Sequence, residues 1–238
     1  MPDPFIKNLS IMTPDEKALI SEKKVLVVGC GGLGGANAEI LCRSGFCHLT
    51  FVDGDRFEGS NMNRQLLCTT ETMGTFKAEA AAERARLINP DIDVKAVVGL
   101  FNESNARKLV SGMDIVIDAL DNVQTRLLLE DTCETENVPL IHGAVSGWQL
   151  QVAVCMPGSR VLHQLYANKT SGAGSDVPGG VAINVSACAS FQISEAIKLL
   201  LGRENVLINK VFFFDLIDKE SIVLDFNTEN RYPVFTNE

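Results

Sequence analysis

The stretch KVLVVGCGGLGGANAEILCRSGFCHLTFVDGD, residues 24–55, decides the fold. It begins with the apolar run at residues 25–28, which is typical of a strand buried on both faces. A glycine-rich turn follows at residues 29–34, then a helical pattern, and then a second apolar run at residues 49–52 that ends at Asp53. This order predicts a strand, a glycine turn, a helix and a second strand with an acid at its tip.

The glycine turn has the composition of a phosphate-binding loop. Glycines let the backbone turn sharply and let a phosphate approach the N–H groups, and the dipole of the following helix favours that anion. Asp53 is placed to accept hydrogen bonds from ribose hydroxyls. We therefore predict a nucleotide site built on Gly29, Gly31, Gly32 and Gly34, with the kind of nucleotide still open.

Further along the chain, predicted strands alternate with predicted helices. The strands are expected at residues 94–98, 115–117, 140–144 and 150–154, and the helices at residues 76–88, 104–110 and 123–136. Such alternation predicts an α/β fold with a Rossmann-like, doubly wound and mostly parallel sheet. A long helix over residues 182–201 and a hairpin with strands at residues 211–214 and 222–224 predict an antiparallel C-terminal extension.

The length of 238 residues suits one large domain with three parts. Residues 1–23 form a helical segment, in which Thr13 and Pro14 mark a helix start. Residues 24–156 form the nucleotide-binding domain. Residues 157–238 are expected to complete the same domain with a connecting segment, a helix and the last strands.

Composition narrows the class of protein. The net charge of −9 argues against a nucleic-acid binder, which would carry a basic stripe. Seven cysteines without a CxxC pair predict reduced thiols and no zinc site, and with no signal peptide visible we expect a cytoplasmic protein. We expect no membrane association, because no apolar run is long enough to cross a bilayer.

Charged residues gather at the predicted C-terminal ends of the parallel strands, where open α/β sheets bind ligands. The segment SNMNRQ at residues 60–65 brings Arg64, Lys77 begins the next helix, and Asp121-Asn122 follows the strand at residues 115–117. Two cations and an acid suit a triphosphate with Mg²⁺. A dehydrogenase would leave these charges idle, although the glycine turn and Asp53 would fit an NAD-dependent oxidoreductase.

Together these motifs resemble the HesA/MoeB/ThiF family, the bacterial relatives of ubiquitin-activating enzymes. The motifs that carry the resemblance are VVGCGGLG at residues 27–34, Asp53-Gly54-Asp55, residues 60–65, Lys77 and DALDN at residues 118–122. The similarity runs from about residue 24 to residue 154 and continues more weakly through residues 194–200.

The resemblance implies an ATP-dependent adenylyltransferase that uses Mg²⁺. Such enzymes activate the C-terminal glycine carboxylate of a small ubiquitin-like sulfur-carrier protein that ends in Gly-Gly. The carboxylate attacks the α-phosphate, pyrophosphate leaves, and an acyl-adenylate remains for sulfur transfer, as in thiamine or molybdopterin biosynthesis. The family also implies a homodimer.

By the same resemblance, Gly32 backs the nucleotide, Asn61 and Arg64 contact phosphates, Lys77 steadies developing charge and Asp121 helps to hold Mg²⁺. The implied catalytic residues are Arg64, Lys77 and Asp121. The implied nucleotide-binding set also contains Gly29, Gly31, Gly34, Asp53, Asp55, Ser60, Asn63, Gln65 and Asn122.

The chain departs from the family in three ways: it lacks the paired CxxC zinc motifs, an N-terminal arginine, and a cysteine between Cys155 and Cys188. Two further alternatives therefore stay open beside the oxidoreductase. One is an ATP-dependent dehydratase of a tRNA base from the same superfamily, and the other is a non-catalytic partner subunit.

Several of these residues also have purely structural readings. Arg64 could form a surface ion pair, Lys77 could be solvated, and Asp121 could cap the next helix. His142 is expected to be a satisfied structural histidine and Cys188 a buried thiol. Trp148 is expected in the core or at an interface.

The segment at residues 157–180 carries a hypothesis of its own. It is rich in Gly and Ser and is expected to lack regular structure. Because it leaves the predicted strand at residues 150–154 and returns at the predicted helix near Ala182, it can pass across the nucleotide edge of the sheet, and we expect it to guide the carrier's tail to the α-phosphate. The small residues at 171–175 would leave room for that tail.

Overall fold

The computed structural model describes residues 4–167 and 180–226 of the chain. The strands are β1 Lys24–Val28, β2 His48–Asp53, β3 Asp93–Val98, β4 Ile115–Asp118, β5 Leu140–Ser146, β6 Gln149–Cys155, β7 Lys210–Asp215 and β8 Ser221–Asp225. The α-helices are α1 Pro14–Ser21, α2 Gly32–Ser44, α3 Lys77–Ile88, α4 Ala106–Val110, α5 Val123–Glu136, α6 Val161–Leu165 and α7 Ala182–Leu200. Short 3-10 helices cover Ile6–Ser10 and Gly59–Asn61.

All eight strands belong to one sheet, in the order β3-β2-β1-β4-β5-β6-β7-β8. The first five are parallel, and β6, β7 and β8 are each antiparallel to the strand before them. The predicted α/β fold with a mostly parallel sheet and an antiparallel C-terminal extension is confirmed. The strand order reverses between β1 and β4, and open α/β sheets bind ligands at such a switch point.

The two faces of β1 explain its continuous apolar run. Val25 and Val27 pack into the core under α2, α3 and α7, while Leu26 and Val28 pack into the core under α4, α5 and α6. Because side chains of a strand alternate between faces, a strand covered by helices on both sides needs apolar residues at every position.

The glycine turn brings α2 unusually close to β1. A Cβ added at Gly34 would overlap the carbonyl oxygen of Gly29, and Gly29 itself has φ +93° and faces the Ala119 carbonyl. Both positions therefore require glycine, one for close approach and one for its backbone conformation.

We expect Gly34→Ala to lower the free energy of unfolding by at least about 2 kcal/mol, because the new methyl group must push α2 away from β1. Urea unfolding measures this change. Gly99→Ala is the matched control, since Gly99 has ordinary φ and no heavy atom lies within 4 Å of its added Cβ. Equal stability of the two variants would contradict the close packing.

Other predicted elements hold with small shifts at their ends. Thr13 caps α1 with a full capping box with Glu16, and β7 and β8 form the predicted hairpin. The helix predicted after the glycine turn is α2, which ends at Ser44, and β4 extends one residue beyond its predicted end to include Asp118.

The structure corrects where the segment after β6 begins, and the crossing of the nucleotide edge itself stays a prediction. Because β6 is antiparallel to β5 and its last residue, Cys155, pairs with Leu140 at the start of β5, the chain leaves β6 at the edge opposite the nucleotide edge. It then forms α6, a helix that the sequence analysis did not predict. The chain is back at the nucleotide edge by Gly180, which lies beside Val145 near the end of β5. The proposed small-residue guide at 171–175 lies outside the described residues.

Trp148 also corrects an expectation. It lies in the two-residue turn between β5 and β6 and is 47% exposed, so it does not pack in the core. The interface alternative for this side chain stays a prediction.

Within residues 4–167 and 180–226, the helices are all too short or too polar to traverse a bilayer.

Candidate functional site

Asp53 fastens the glycine turn to the end of β2. Its Oδ2 accepts a hydrogen bond from the Cys30 N–H at 2.7 Å, and its Oδ1 accepts one from the Asp55 N–H at 2.7 Å. The Gly29 N–H donates to the Val52 carbonyl at 2.8 Å. Each carboxylate oxygen can accept a further hydrogen bond, so Asp53 keeps the capacity to accept from ribose hydroxyls.

Lys77 is buried beside Asp55. Its Nζ donates to Asp55 Oδ2 at 3.0 Å, and its backbone N–H donates to the Asp55 carbonyl at 2.9 Å. The side chain of Lys77 is only 10% exposed, whereas that of Asp55 is 64% exposed. The alternative that Lys77 is merely solvated is therefore wrong, because the loop after β2 returns to place this lysine inside the site.

The segment at residues 60–65 lies against the glycine turn. The Asn61 side-chain oxygen accepts a hydrogen bond from the Glu58 N–H, and the Asn61 carbonyl accepts from the N–H groups of Arg64 and Gln65. A Cβ added at Gly31 would lie 3.6 Å from Gln65 Nε2, and one at Gly32 would lie 3.6 Å from the Arg64 carbonyl. Gln65 is buried, and its Oε1 has no hydrogen-bond partner among the described residues.

Arg64 has no carboxylate partner in the described part of the chain. Its Nη1 donates to the Ser60 carbonyl at 3.1 Å and to Asn63 Oδ1 at 2.9 Å. These neutral contacts orient the guanidinium without neutralising it. The surface ion-pair alternative is wrong within residues 4–167 and 180–226, and the arginine keeps its charge for an anion.

Asp121 lies at the same edge but is exposed, and no hydrogen bond or ion pair between described residues joins it to Arg64 or Lys77. The loop that carries Asp121 is tied to the end of β1 through the Ala119 N–H, which donates to the Val28 carbonyl at 2.9 Å. The helix-capping alternative for Asp121 is wrong, since Asn122 is the N-cap of α5 and accepts from the Thr125 N–H at 2.8 Å.

A buried polar cluster behind this loop was missed by the sequence analysis. It consists of Asp118, Arg126, His142, Gln151 and Tyr166. His142 Nδ1 donates to Asp118 Oδ2 at 2.6 Å, and Tyr166 lies 3.2 Å from Nε2. Burial lowers the pKa of His142 although Asp118 opposes the shift, so the ring is neutral and structural, as predicted. The only feature of the sequence that could have indicated this cluster was Asp118, an acid at the end of a buried strand.

Six of the seven cysteines are buried, and Cys47 is half-buried. Cys188 lies on the buried side of α7, as predicted, and burial raises the pKa of its thiol to about 12. Burial also raises the pKa of Cys30, inside the glycine turn. No group of three His, Cys, Asp or Glu side chains in the described ranges is arranged to hold a metal ion, and the absence of zinc stays a prediction.

Comparison with known proteins decides the family. The sequence profile of the ThiF family matches residues 6–233. The chain belongs to the ThiF family. This membership confirms the resemblance that the glycine turn and the motifs at residues 60–65 and 118–122 carry.

Several curated relatives of this ThiF-family chain are similar over most of its length. The SAMP-activating enzyme E1 of Haloferax volcanii is 33% identical over 231 residues, which cover 93% of this chain and 83% of the relative. The molybdopterin-synthase adenylyltransferase of Escherichia coli is 33% identical over 207 residues, which cover 84% of this chain and 82% of the relative. The sulfur carrier protein ThiS adenylyltransferase of Bacillus subtilis is 36% identical over 195 residues, covering 80% of this chain and 58% of the relative.

The names of these relatives confirm the enzyme class predicted for this ThiF-family chain, an ATP-dependent adenylyltransferase. A crystal structure of Escherichia coli MccB matches the fold with a TM-score of 0.79 over 94% of this chain and 70% of that one. At 18% identity, this structure supports the fold alone.

Proposed function

We propose that this adenylyltransferase activates the C-terminal glycine carboxylate of a small ubiquitin-like sulfur-carrier protein that ends in Gly-Gly. Two of its relatives are named for such a role: one for the sulfur carrier protein ThiS, and one as a SAMP-activating enzyme. The products would be an acyl-adenylate and pyrophosphate, and the adenylate would then serve sulfur transfer in cofactor biosynthesis.

One observation carries the proposal: Arg64, whose guanidinium has no carboxylate partner among the described residues, belongs to a segment whose backbone lies against the glycine turn at the switch point of the sheet. Lys77 supplies a second cation in the same site. A pyrophosphate held by backbone amides needs neither, whereas a triphosphate attacked at its α-phosphate gains from both. The site therefore favours ATP over NAD.

The chemistry asks little of the protein beyond position and charge. Asp53 would accept from the ribose, and Asn61 and Arg64 would contact phosphates. Lys77 would neutralise charge that develops as the carboxylate attacks the α-phosphate and pyrophosphate leaves. The remaining members of the proposed nucleotide set would surround the nucleotide; they are Gly29, Gly31, Gly32, Gly34, Asp55, Ser60, Asn63, Gln65 and Asn122.

The residues present fit a magnesium ion that arrives with ATP. Mg²⁺ prefers oxygen ligands and commonly uses one or two carboxylates together with substrate phosphates and water. Asp121 is an exposed carboxylate at this edge of the sheet, with no ion-pair partner among the described residues, and would supply that ligand. When bound, the ion would screen the charge of the phosphates.

ATP–pyrophosphate exchange tests the function directly. We expect exchange only when a carrier ending in Gly-Gly is present, because the carrier's carboxylate is the nucleophile whose attack is being reversed. The same carrier with its last glycine deleted is the matched control. Exchange without any carrier, or none with a panel of Gly-Gly carriers, would contradict the proposal.

The three alternative functions predict different results in binding and exchange assays. NADH binding with no ATP binding would favour an oxidoreductase, and ATP-dependent binding of tRNA would favour the base dehydratase. ATP binding without exchange would favour a non-catalytic subunit. Arg64, Lys77 and Asp121 at one edge of the sheet weigh against that last reading.

We also propose a homodimer, on the ground that the family pairs through this domain. Light scattering should give twice the monomer mass of 25.8 kDa at micromolar concentration. A monomer across that range would contradict this assembly.

A further inference from the structure

Arg126 is a buried cation in an electrostatically unfavourable place. It lies in the first turns of α5, where the helix dipole is positive, and only 8% of it is exposed. Burial alone lowers the pKa of its guanidinium, yet the charges of Asp118, Tyr166 and Asp121 raise it above the ordinary value. A buried charge persists in such a position only when specific partners compensate it.

The partners of Arg126 come from three elements. Its Nη2 donates to the carbonyl of Leu120, and its Nη1 donates to the Tyr166 hydroxyl at 3.3 Å. Its Nε lies 3.5 Å from Asp118 Oδ2. The fork of the guanidinium therefore joins the end of β4, the loop after it and the residue that follows α6.

The contact with Leu120 acts on its neighbour in the chain, Asp121. The Leu120 N–H donates to Asp118 Oδ1 at 2.9 Å, so Leu120 is held at its amide by Asp118 and at its carbonyl by Arg126. The Leu120 carbonyl belongs to the planar peptide bond that leads into Asp121. Fixing that oxygen fixes the plane from which the Asp121 side chain departs.

We propose that Arg126 is a positioning residue, which orients the Leu120–Asp121 peptide so that the Asp121 carboxylate meets the magnesium ion that accompanies ATP. The inference rests on the proposed function, in which Asp121 holds that ion. Arg126 itself is buried behind the loop and touches neither nucleotide nor metal. Tyr166 steadies the guanidinium, because its hydroxyl also accepts from Gln151 Nε2 at 2.5 Å and lies 3.2 Å from His142 Nε2.

The test measures metal affinity without turnover. Mn²⁺ is titrated by electron paramagnetic resonance into the protein saturated with a non-hydrolysable ATP analogue. The variants are Arg126→Lys, which keeps a charge but loses the fork, and Arg126→Gln. Asp121→Asn is the reference for loss of the ligand, and Arg107→Lys is the control at an arginine whose side chain is 83% exposed.

We expect both Arg126 variants to weaken Mn²⁺ binding by about tenfold, the usual effect of losing a group that orients a metal ligand. Metal-free binding of the analogue should change by less than about twofold, because Arg126 does not face the nucleotide. This split separates positioning from general damage to the fold, which would lower both affinities. An equal loss of Mn²⁺ affinity and of metal-free affinity for the analogue would overturn the inference.

The outcomes also separate this inference from the function on which it rests. If Asp121→Asn weakens Mn²⁺ binding and the Arg126 variants do not, the inference is wrong and the metal role of Asp121 stands. If Asp121→Asn has no effect, the metal role itself is wrong. Should neither Arg126 variant fold, Tyr166→Phe decides: a Mn²⁺ affinity about threefold weaker supports the inference, and an unchanged affinity overturns it.

Discussion

Replacing Asp121 with alanine should lower carrier-dependent ATP–pyrophosphate exchange by about 100- to 1000-fold, the range seen when one preorganised electrostatic contact is removed. The reason is that Asp121 is the exposed acid beside the switch point, on a loop tied to β1 through Ala119. Without it, the metal would lose the protein carboxylate that we propose as its ligand.

The same variant should fold normally. Asp121 is exposed, Asn122 rather than Asp121 caps α5, and surface changes of this kind alter stability by less than about 0.5 kcal/mol. Asp91→Ala is the matched control, since Asp91 is an exposed acid in the turn before β3, at the opposite edge of the sheet. Near-normal exchange in a folded Asp121→Ala protein would remove the metal role from this residue.

The first nucleotide-binding unit could be predicted because its signals are local. The apolar run of β1, the glycine turn and Asp53 each follow from residue type and spacing, and the structure joins Asp53 to the turn through the Cys30 N–H. The predicted residues do converge on one edge, since the ends of parallel strands meet there. Their roles in binding stay predictions.

The direction of β6 could have been read from the sequence but was not. Only Gly147 and Trp148 separate β5 from β6, and so short a connection permits only an antiparallel pair. Reversing β6 moves the start of the segment after Cys155 to the far edge of the sheet. The expected starting point of that segment was wrong for this reason, whereas its passage across the nucleotide edge stays a prediction, because residues 168–179 lie outside the described part of the chain.

The burial of Lys77 and Arg126 could not be predicted from local patterns. Lys77 hydrogen-bonds to Asp55, which is 22 residues away in the sequence, and Arg126 hydrogen-bonds to Tyr166, which is 40 residues away. A lysine at a helix start and an arginine within a helix are most often solvated. Only the assembled sheet shows that these two are enclosed with partners.

Replacing Lys77 with methionine should lower exchange by about 100-fold or more, while ATP binding changes by less than about threefold. Methionine matches the four-atom apolar stem of lysine and lacks only the terminal ammonium, so the main loss is the charge. A charge that acts mostly on the transition state affects the rate more than the affinity. Exchange kinetics and equilibrium binding of a fluorescent ATP analogue measure the two quantities separately.

If the role of Lys77 were purely structural, a different result would be expected, because the lysine would then serve only to hold Asp55. Asp55→Asn would in that case reproduce the whole loss. We expect Asp55→Asn to lower the exchange rate by less than about tenfold, since the side chain of Asp55 is 64% exposed and its ion pair is partly screened by solvent. Lys108→Met, at an exposed lysine on α4, controls for the substitution itself. If Asp55→Asn and Lys77→Met lower the exchange rate equally, the lysine stabilises the loop rather than the transferring phosphate.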